Sequence, residues 1–427
     1  MSKNQAGTVK TPHLERNFSL SVKTLDALEH EYGDSFYLVD LDAFAANYHE
    51  FINAFREFYP NTNIAYSYKT NYTPRLCQIV DHFGGYAEVV SRMEYDLARS
   101  LGVEPRRIIF NGPYKTQNDI ELALKYGSIV NLDWPYQIDA VSHIARNFSG
   151  TQMRVGLRVA FTIPPNGSSR FGFNAEELGD VFKTFRELDN VEIAGLHCHF
   201  LTRKRSVDDY RFIAERMLAL TVEHFPSAPP RFINLGGGFF SKMKEALRAQ
   251  FGFAVPSYGQ YAQAIAPQLA AHYPNGEAPE LILEPGICLT ADVAKFVARV
   301  IDVNVIRVRK LALVSGSIYD IKPTLNSRNL PIEVVRGAYT DARRINGKLD
   351  IVGYTCMEHD VLFAGFEGEL AAGDYVVFDN VGAYTNVLRP PFIRECPPML
   401  GWSSKTNTFE VLKRKEAFND VFKTYAF

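Results

Sequence analysis

Eight short β-rich runs recur between residues 63 and 286, and segments of helical periodicity separate them. The runs are NIAYSY (63–68), YAEVV (86–90), RIIF (107–110), SIVNLD (128–133), MRVGLRV (153–159), IAGLHCHF (193–200), RFINLGG (231–237) and ELILEPG (280–286). Between them, TPRLCQIVDHF, SRMEYDLARSLG, TQNDIELALKYG and DDYRFIAERMLALTVEHF carry apolar residues at helical spacing. Several of these open on Ser, Thr or Asp and some close at Gly, the residues that start and stop helices. Eight such alternations predict an α/β fold, a (β/α)8 barrel of the TIM type. The count disfavours the alternative, a doubly wound open sheet.

After EPG the rhythm changes. VAKFVARVIDVNVIRV, KLALVSGSIYD and GDYVVFDNVGAYT are β-rich, with turns between them and weak helical signals, which predicts a separate all-β C-terminal domain. The expected organisation is an N-terminal segment, 1–35, packing with the β domain; the barrel, 36–290; and the β domain, 291–427. A chain of 427 residues with 46% hydrophobic content can bury a large core. A net charge of −2, without long charged blocks, gives no electrostatic case for nucleic acid or an anionic membrane, so a small-molecule substrate is expected. Cys77, Cys198, Cys288, Cys356 and Cys396 are odd in number and free of any CxxC pair, which argues against a disulfide framework and a structural zinc site. The start, MSKNQAGTVKTPH, lacks an apolar core, and no run approaches the length of a membrane span; the expectation is a soluble cytoplasmic protein without metal.

In such a barrel the site is built from residues at the C-terminal ends of different strands. Lys69, in IAYSYKTN (64–71), ends the first run; His197 and His199 end the sixth, Gly236, Gly237 and Gly238 the seventh, and Glu284 the eighth. A lysine closing a strand ordinarily lays its stem on apolar surface and sends its amine to water. Desolvated at a barrel mouth, the same amine has a lowered pKa and becomes a nucleophile able to form a Schiff base. Glycines after a strand let backbone N–H groups close on a phosphate, although tight turns also use glycine for steric reasons. Together, an amine, an imidazole, three glycines and a carboxylate suit one cofactor, pyridoxal 5′-phosphate: the carboxylate keeps the ring nitrogen protonated, so that the ring can take up electrons.

The motifs YSYKTN, GLHCHF, NLGGGF, LEPG, YTCMEHD and GAY occur in that order. Through them the chain, from FYLVDLDAF (36–44) to GAYTN (382–386), resembles the fold-type III, alanine racemase-like, pyridoxal phosphate-dependent decarboxylases. That is the family of diaminopimelate, ornithine and arginine decarboxylases. AEVVSRMEYDLARSLG, RIIFNGPYKT and SSRFGF are similar to further regions of the family. The resemblance implies that Lys69 holds the cofactor as a Schiff base, that His199 stacks on its ring and that Glu284 pairs with the ring nitrogen. It also implies that Gly236, Gly237, Gly238 and Tyr384 bind the phosphate, with Thr202 where the family commonly has serine. Cys356 would come from the partner subunit to protonate the carbanion left by carbon dioxide, so a homodimer with shared sites is implied.

The family pattern breaks in three places. EPGI puts Ile287 where an arginine normally holds the phosphate or a substrate group, and an apolar side chain cannot replace that bidentate donor. CMEHD puts Met357 where a glutamate would meet a distal substrate amine, with Glu358 and Asp360 nearby. DIKPT (320–324) puts Lys322 where an arginine often meets a substrate carboxylate, and TRKRS (202–206) adds Arg203, Lys204 and Arg205 after the stacking histidine. The expected reaction is decarboxylation of an amino acid carrying an extra carboxylate-rich group, such as a citryl-diaminopropionate-like intermediate of carboxylate siderophore synthesis. The alternatives are a diaminopimelate-, lysine- or ornithine-type decarboxylase, an amino acid racemase, and a non-catalytic cofactor-binding regulator. CMEHD fits decarboxylation better than two-sided proton transfer, and retention of both Lys69 and Cys356 favours an enzyme.

Overall fold

The computed structural model describes residues 20–427 apart from 149, 151, 166, 168, 275–277 and 339–341. Most of the N-terminal segment and the first serine of SSRFGF therefore lie outside the described residues. Each of the eight β-rich runs forms a barrel strand: Thr62–Ser67, Tyr86–Val89, Ile108–Phe110, Ile129–Leu132, Met153–Ala160, Val191–His197, Phe232–Asn234 and Glu280–Leu283. Successive strands pair in parallel, and Glu280–Leu283 returns to pair with Thr62–Ser67, closing the barrel. Parallel strands covered on both faces read as continuous apolar runs, which is why this part of the chain is so legible.

Inside the barrel, Ala65, Ile109, Ala194, Phe232 and Ile282 form a small apolar plug. The Phe232 ring has room because its neighbour is Gly195, where a Cβ would meet ring atom Cδ2 at 2.7 Å. The crossover helices start where the sequence supplies caps. Asp40 accepts the Ala43 amide ahead of Leu41–Arg56, and reciprocal capping boxes open Gln117–Lys125 (Thr116, Asp119) and Val207–His224 (Ser206, Asp209).

The second domain is built on a nine-stranded sheet. At its centre Ser35–Asp40 pairs antiparallel with Ala294–Ile306 and parallel with Met399–Ser403. Residues 36–40, assigned to the barrel by sequence, thus sit in the β sheet. The reason is burial: Phe36, Tyr37, Leu38 and Val39 are all buried, and only a position between two strands covers such a run on both edges. Leu20 and the helix Val22–Tyr32 pack on the same sheet, with Leu25 and Leu28 against Phe36, Leu38, Val297, Tyr375, Val377 and Leu400. The C-terminal β domain accordingly draws strands from both sides of the barrel in sequence. Among the described residues no helix is long and apolar enough to cross a membrane, and no group of His, Cys, Asp and Glu is arranged to hold a metal ion.

Candidate active site

The Thr62–Ser67 strand ends in a short 3-10 turn, Tyr68–Thr70, that lifts Lys69 to the barrel mouth. Its ammonium donates to Ser67 Oγ at 2.7 Å and to the Glu88 carboxylate. The lysine side chain keeps 32% of its surface exposed, so it faces the mouth. Burial does pull its pKa down, as expected from sequence, but Glu88 and Glu284 outweigh that pull and the net shift is upward. The cause of the difference is plain: besides Glu284, a second buried carboxylate, Glu88, stands beside the amine.

Those carboxylates are linked. Asn111 donates Nδ2 to Glu88 Oε1 at 2.9 Å and to Glu284 Oε1 at 2.7 Å, and Asn234 donates to Glu284 Oε1 at 2.8 Å. His197 Nε2 lies 3.5 Å from the same oxygen. Burial pushes the Glu284 carboxyl up, but His197, Lys69 and His199 hold it well below the usual range, so it is anionic at neutral pH. His199 is neutral. Burial drives its pKa down to about 3, and its Nδ1 accepts the Gly237 amide at 2.9 Å, which fixes the tautomer and the plane of the ring.

The glycine triplet is a close backbone approach. A Cβ at Gly237 would meet the Glu284 carbonyl oxygen at 2.1 Å, and one at Gly236 the Cys198 carbonyl oxygen at 2.4 Å. The Gly236 amide donates to Asn234 Oδ1 at 2.9 Å and the Gly237 amide to His199. Gly238, at φ +92°, therefore offers the free amide of the triplet among the described residues. Tyr384, at φ +57°, donates its amide to the Thr70 carbonyl at 2.9 Å, which sets it beside the Lys69 turn.

Other expected residues lie elsewhere or are occupied. Thr202 donates to Asp209 and accepts the Arg205 amide at 2.9 Å, so its hydroxyl braces the start of the Val207–His224 helix. Asp360 is buried, and its oxygens accept the Ile318 amide at 2.7 Å and the Thr355 amide at 2.9 Å; the carboxylate shapes a loop and does not face a ligand. Cys356, Met357 and Glu358 are exposed on that loop. Among the described residues no hydrogen bond, ion pair or ring contact joins the loop to Lys69, His199 or Glu284. Lys322 is buried, donates to the Arg328 carbonyl at 2.9 Å and has no carboxylate partner among the described residues, and burial pulls its pKa down. Arg203 and Lys204 are exposed, whereas the Arg205 guanidinium lies 4.9 Å from the Phe240 ring centroid.

Sequence reasoning missed Glu88, Asn111 and Asn234, and also Arg158, which is buried and donates to the His199 carbonyl at 3.2 Å. The signal was present for the first three: each stands at or just past the end of a barrel strand, the same rule that selected Glu284.

A closed parallel barrel with an amine, a buried anionic carboxylate, a neutral imidazole and a glycine turn at its C-terminal mouth defines a pyridoxal phosphate enzyme. These residues fit the cofactor, since the turn is too close-packed to hold side chains and the carboxylate already carries the charge a protonated ring nitrogen needs. Residues 45–291 match the family described as "Pyridoxal-dependent decarboxylase, pyridoxal binding domain", and the chain belongs to that family. It is a pyridoxal phosphate-dependent amino acid decarboxylase. Its relatives include the diaminopimelate decarboxylase of Aquifex aeolicus, 26% identical over 78% of this chain and 79% of that one. Another, from Methanocaldococcus jannaschii, is 23% identical over 93% and 92%. In fold, the chain is similar to the crystal structure of the M. jannaschii diaminopimelate decarboxylase, with a TM-score of 0.83, 22% identity and 94% of each chain covered. It is similar also to lysine decarboxylase from Selenomonas ruminantium, with a TM-score of 0.74, 22% identity and coverage of 91% and 97%.

Proposed function

We propose that this decarboxylase acts on an amino acid whose far end carries a second carboxylate, with diaminopimelate as the first candidate, and that it works as a homodimer with shared sites. The observation that carries the substrate reading is Lys322: a buried ammonium with no carboxylate partner among the described residues is costly unless a ligand supplies the charge. Several relatives bear the diaminopimelate name, which is consistent with that requirement. The citryl-conjugate idea loses its support, because Arg203 and Lys204 are solvated and Arg205 is spent on Phe240.

Bound pyridoxal phosphate supplies an aldehyde for an amine and a ring that accepts the electrons of the broken Cα–carboxylate bond. The chain does the rest. Lys69 is the covalent anchor, with Ser67 Oγ and Glu88 orienting Nζ and able to hold its proton. Glu284, kept anionic by its asparagine donors and by Lys69, would hold the proton on the ring nitrogen. The neutral His199 ring offers a flat face and brings no competing charge. The Gly238 amide and the Tyr384 hydroxyl receive the phosphate, without the arginine that Ile287 displaces. Cys356 of the partner subunit delivers the proton that replaces carbon dioxide. Cys356 is exposed together with Met357, Leu388, Phe392 and Ile393, and Tyr114, Trp134 and Leu201 are exposed in the segments that follow barrel strands. Two such apolar surfaces suit an isologous interface.

The substrate test is carbon dioxide release from diaminopimelate, lysine, ornithine and arginine by the purified protein and by Lys322→Met. A variant that kept kcat/KM for diaminopimelate within about twofold would remove the distal-carboxylate reading. Mixing inactive Lys69→Met and Cys356→Ala subunits tests the shared site, since each hybrid dimer regains one intact centre. Mixtures that stay inactive while exchanging subunits would refute it.

A further inference from the structure

We infer that Asp379 is a positioning residue for the cofactor phosphate, tying together the two chain segments that face it; this rests on the reading of Gly238 and Tyr384 as phosphate donors. Asp379 follows the Tyr375–Phe378 strand and is buried. Its Oδ2 accepts from Lys244, on the loop that leaves the glycine triplet, and its Oδ1 from Lys295, at the start of the Ala294–Ile306 strand. Its own amide donates to the Pro331 carbonyl at 2.8 Å.

From this point the chain runs directly to Tyr384, and the run is strained. Asn380 and Tyr384 both hold left-handed conformations, at φ +61° and +57°, which non-glycine residues keep only where the surroundings over-determine them. The far half is well fixed: Gly382 donates to the Ala291 carbonyl at 3.1 Å, Tyr384 to Thr70 at 2.9 Å, and Asn71 Nδ2 to the Gly382 carbonyl at 2.9 Å. Gly382 is so close to its neighbour that a Cβ would meet the Thr290 carbonyl oxygen at 1.8 Å. These contacts tie the Tyr384 loop to the Lys69 turn and to the segment after the eighth strand. The ion pair of Asp379 with Lys244 ties it to the loop of the triplet. A phosphate gripped from both sides needs that spacing held to a fraction of an ångström. One carboxylate thereby sets the distance between the two donors without touching the ligand.

The test titrates the full chain, freed of cofactor, with pyridoxal phosphate and with pyridoxal, which lacks the phosphate. Asp379→Asn is expected to weaken pyridoxal phosphate by about tenfold and to leave pyridoxal within about twofold, and Asp379→Glu to recover most of the loss. A purely structural role would weaken both ligands alike, and that result overturns the inference. Tyr384→Phe separates the two levels. If it narrows the preference for the phosphorylated ligand and Asp379→Asn does not, the inference fails and the reading of Tyr384 stands; if Tyr384→Phe leaves the preference intact, the underlying reading fails. Should Asp379→Asn not fold, Lys244→Met, which removes the tie to the triplet loop and leaves Lys295 in place, carries the same comparison.

Discussion

His199 shows how much one side chain's surroundings decide. In the unfolded chain its imidazole takes a proton near pH 6.5, whereas in the native site burial delays this to about pH 3. Between those values the unfolded state binds more protons, so acidification through that window favours unfolding, and the contribution of His199 is fully present only above about pH 6.5. Urea unfolding between pH 7 and 5 should therefore show stability falling more steeply in the parent than in His199→Gln, by up to about 1 kcal/mol per pH unit; equal slopes would mean that the ring titrates normally. Lys69 behaves in the opposite sense, its positive charge favoured by Glu88 and Glu284. Lys69→Met should abolish decarboxylation by roughly 10³-fold or more and leave no adduct after borohydride reduction, read by mass spectrometry of the intact protein. That Lys69 matters was legible from its place in IAYSYKTN. The direction of its pKa shift was not, because the carboxylates that set it arrive from the second and eighth strands.

At the scale of elements, the active centre is a ring of strand ends. Glu88, Asn111, Asn234 and Glu284 come from four strands that the barrel brings edge to edge, and hydrogen bonds of 2.7–2.9 Å join them. The glycine turn is a close approach of two strand ends. Gly237→Ala pushes a methyl group against the Glu284 carbonyl, backbone that cannot retreat without breaking the Glu284 amide bond to the Gly236 carbonyl at 2.8 Å. The substitution is expected to cost about 1–3 kcal/mol in urea unfolding and to weaken cofactor binding by tenfold or more. Unchanged stability would show that the turn has slack. Glycine was suspected here for its own amides, yet the structure uses two of the three amides internally, and it is the missing Cβ atoms that matter most.

For the whole molecule, the critical joint lies in the β domain. Arg389 and Asp320, both buried, form an ion pair, and the Tyr37 hydroxyl donates to the Asp320 carbonyl at 2.7 Å. Segments from near residues 37, 320 and 389 thus meet at one buried charge pair. Arg389→Met leaves the Asp320 carboxylate buried without its cation, which should cost about 3–5 kcal/mol, measured as a lower urea midpoint. A loss below about 1 kcal/mol would show that water reaches the carboxylate once the arginine is gone.

What the sequence determined by itself was the pattern: eight apolar runs, capped helices between them, a change of rhythm after EPG, and the order of motifs that placed Lys69, His199, the triplet and Glu284 at strand ends. Periodicity and caps are local properties, written in neighbouring residues. The tertiary structure decided what depends on groups distant in sequence. It set the direction of the Lys69 pKa shift, the diversion of Thr202 and Asp360 to bracing their own loops, the burial of Lys322 and the placing of residues 36–40 in the second sheet. Electrostatics and burial are sums over whatever the fold brings within a few ångströms, and no stretch of sequence contains that list.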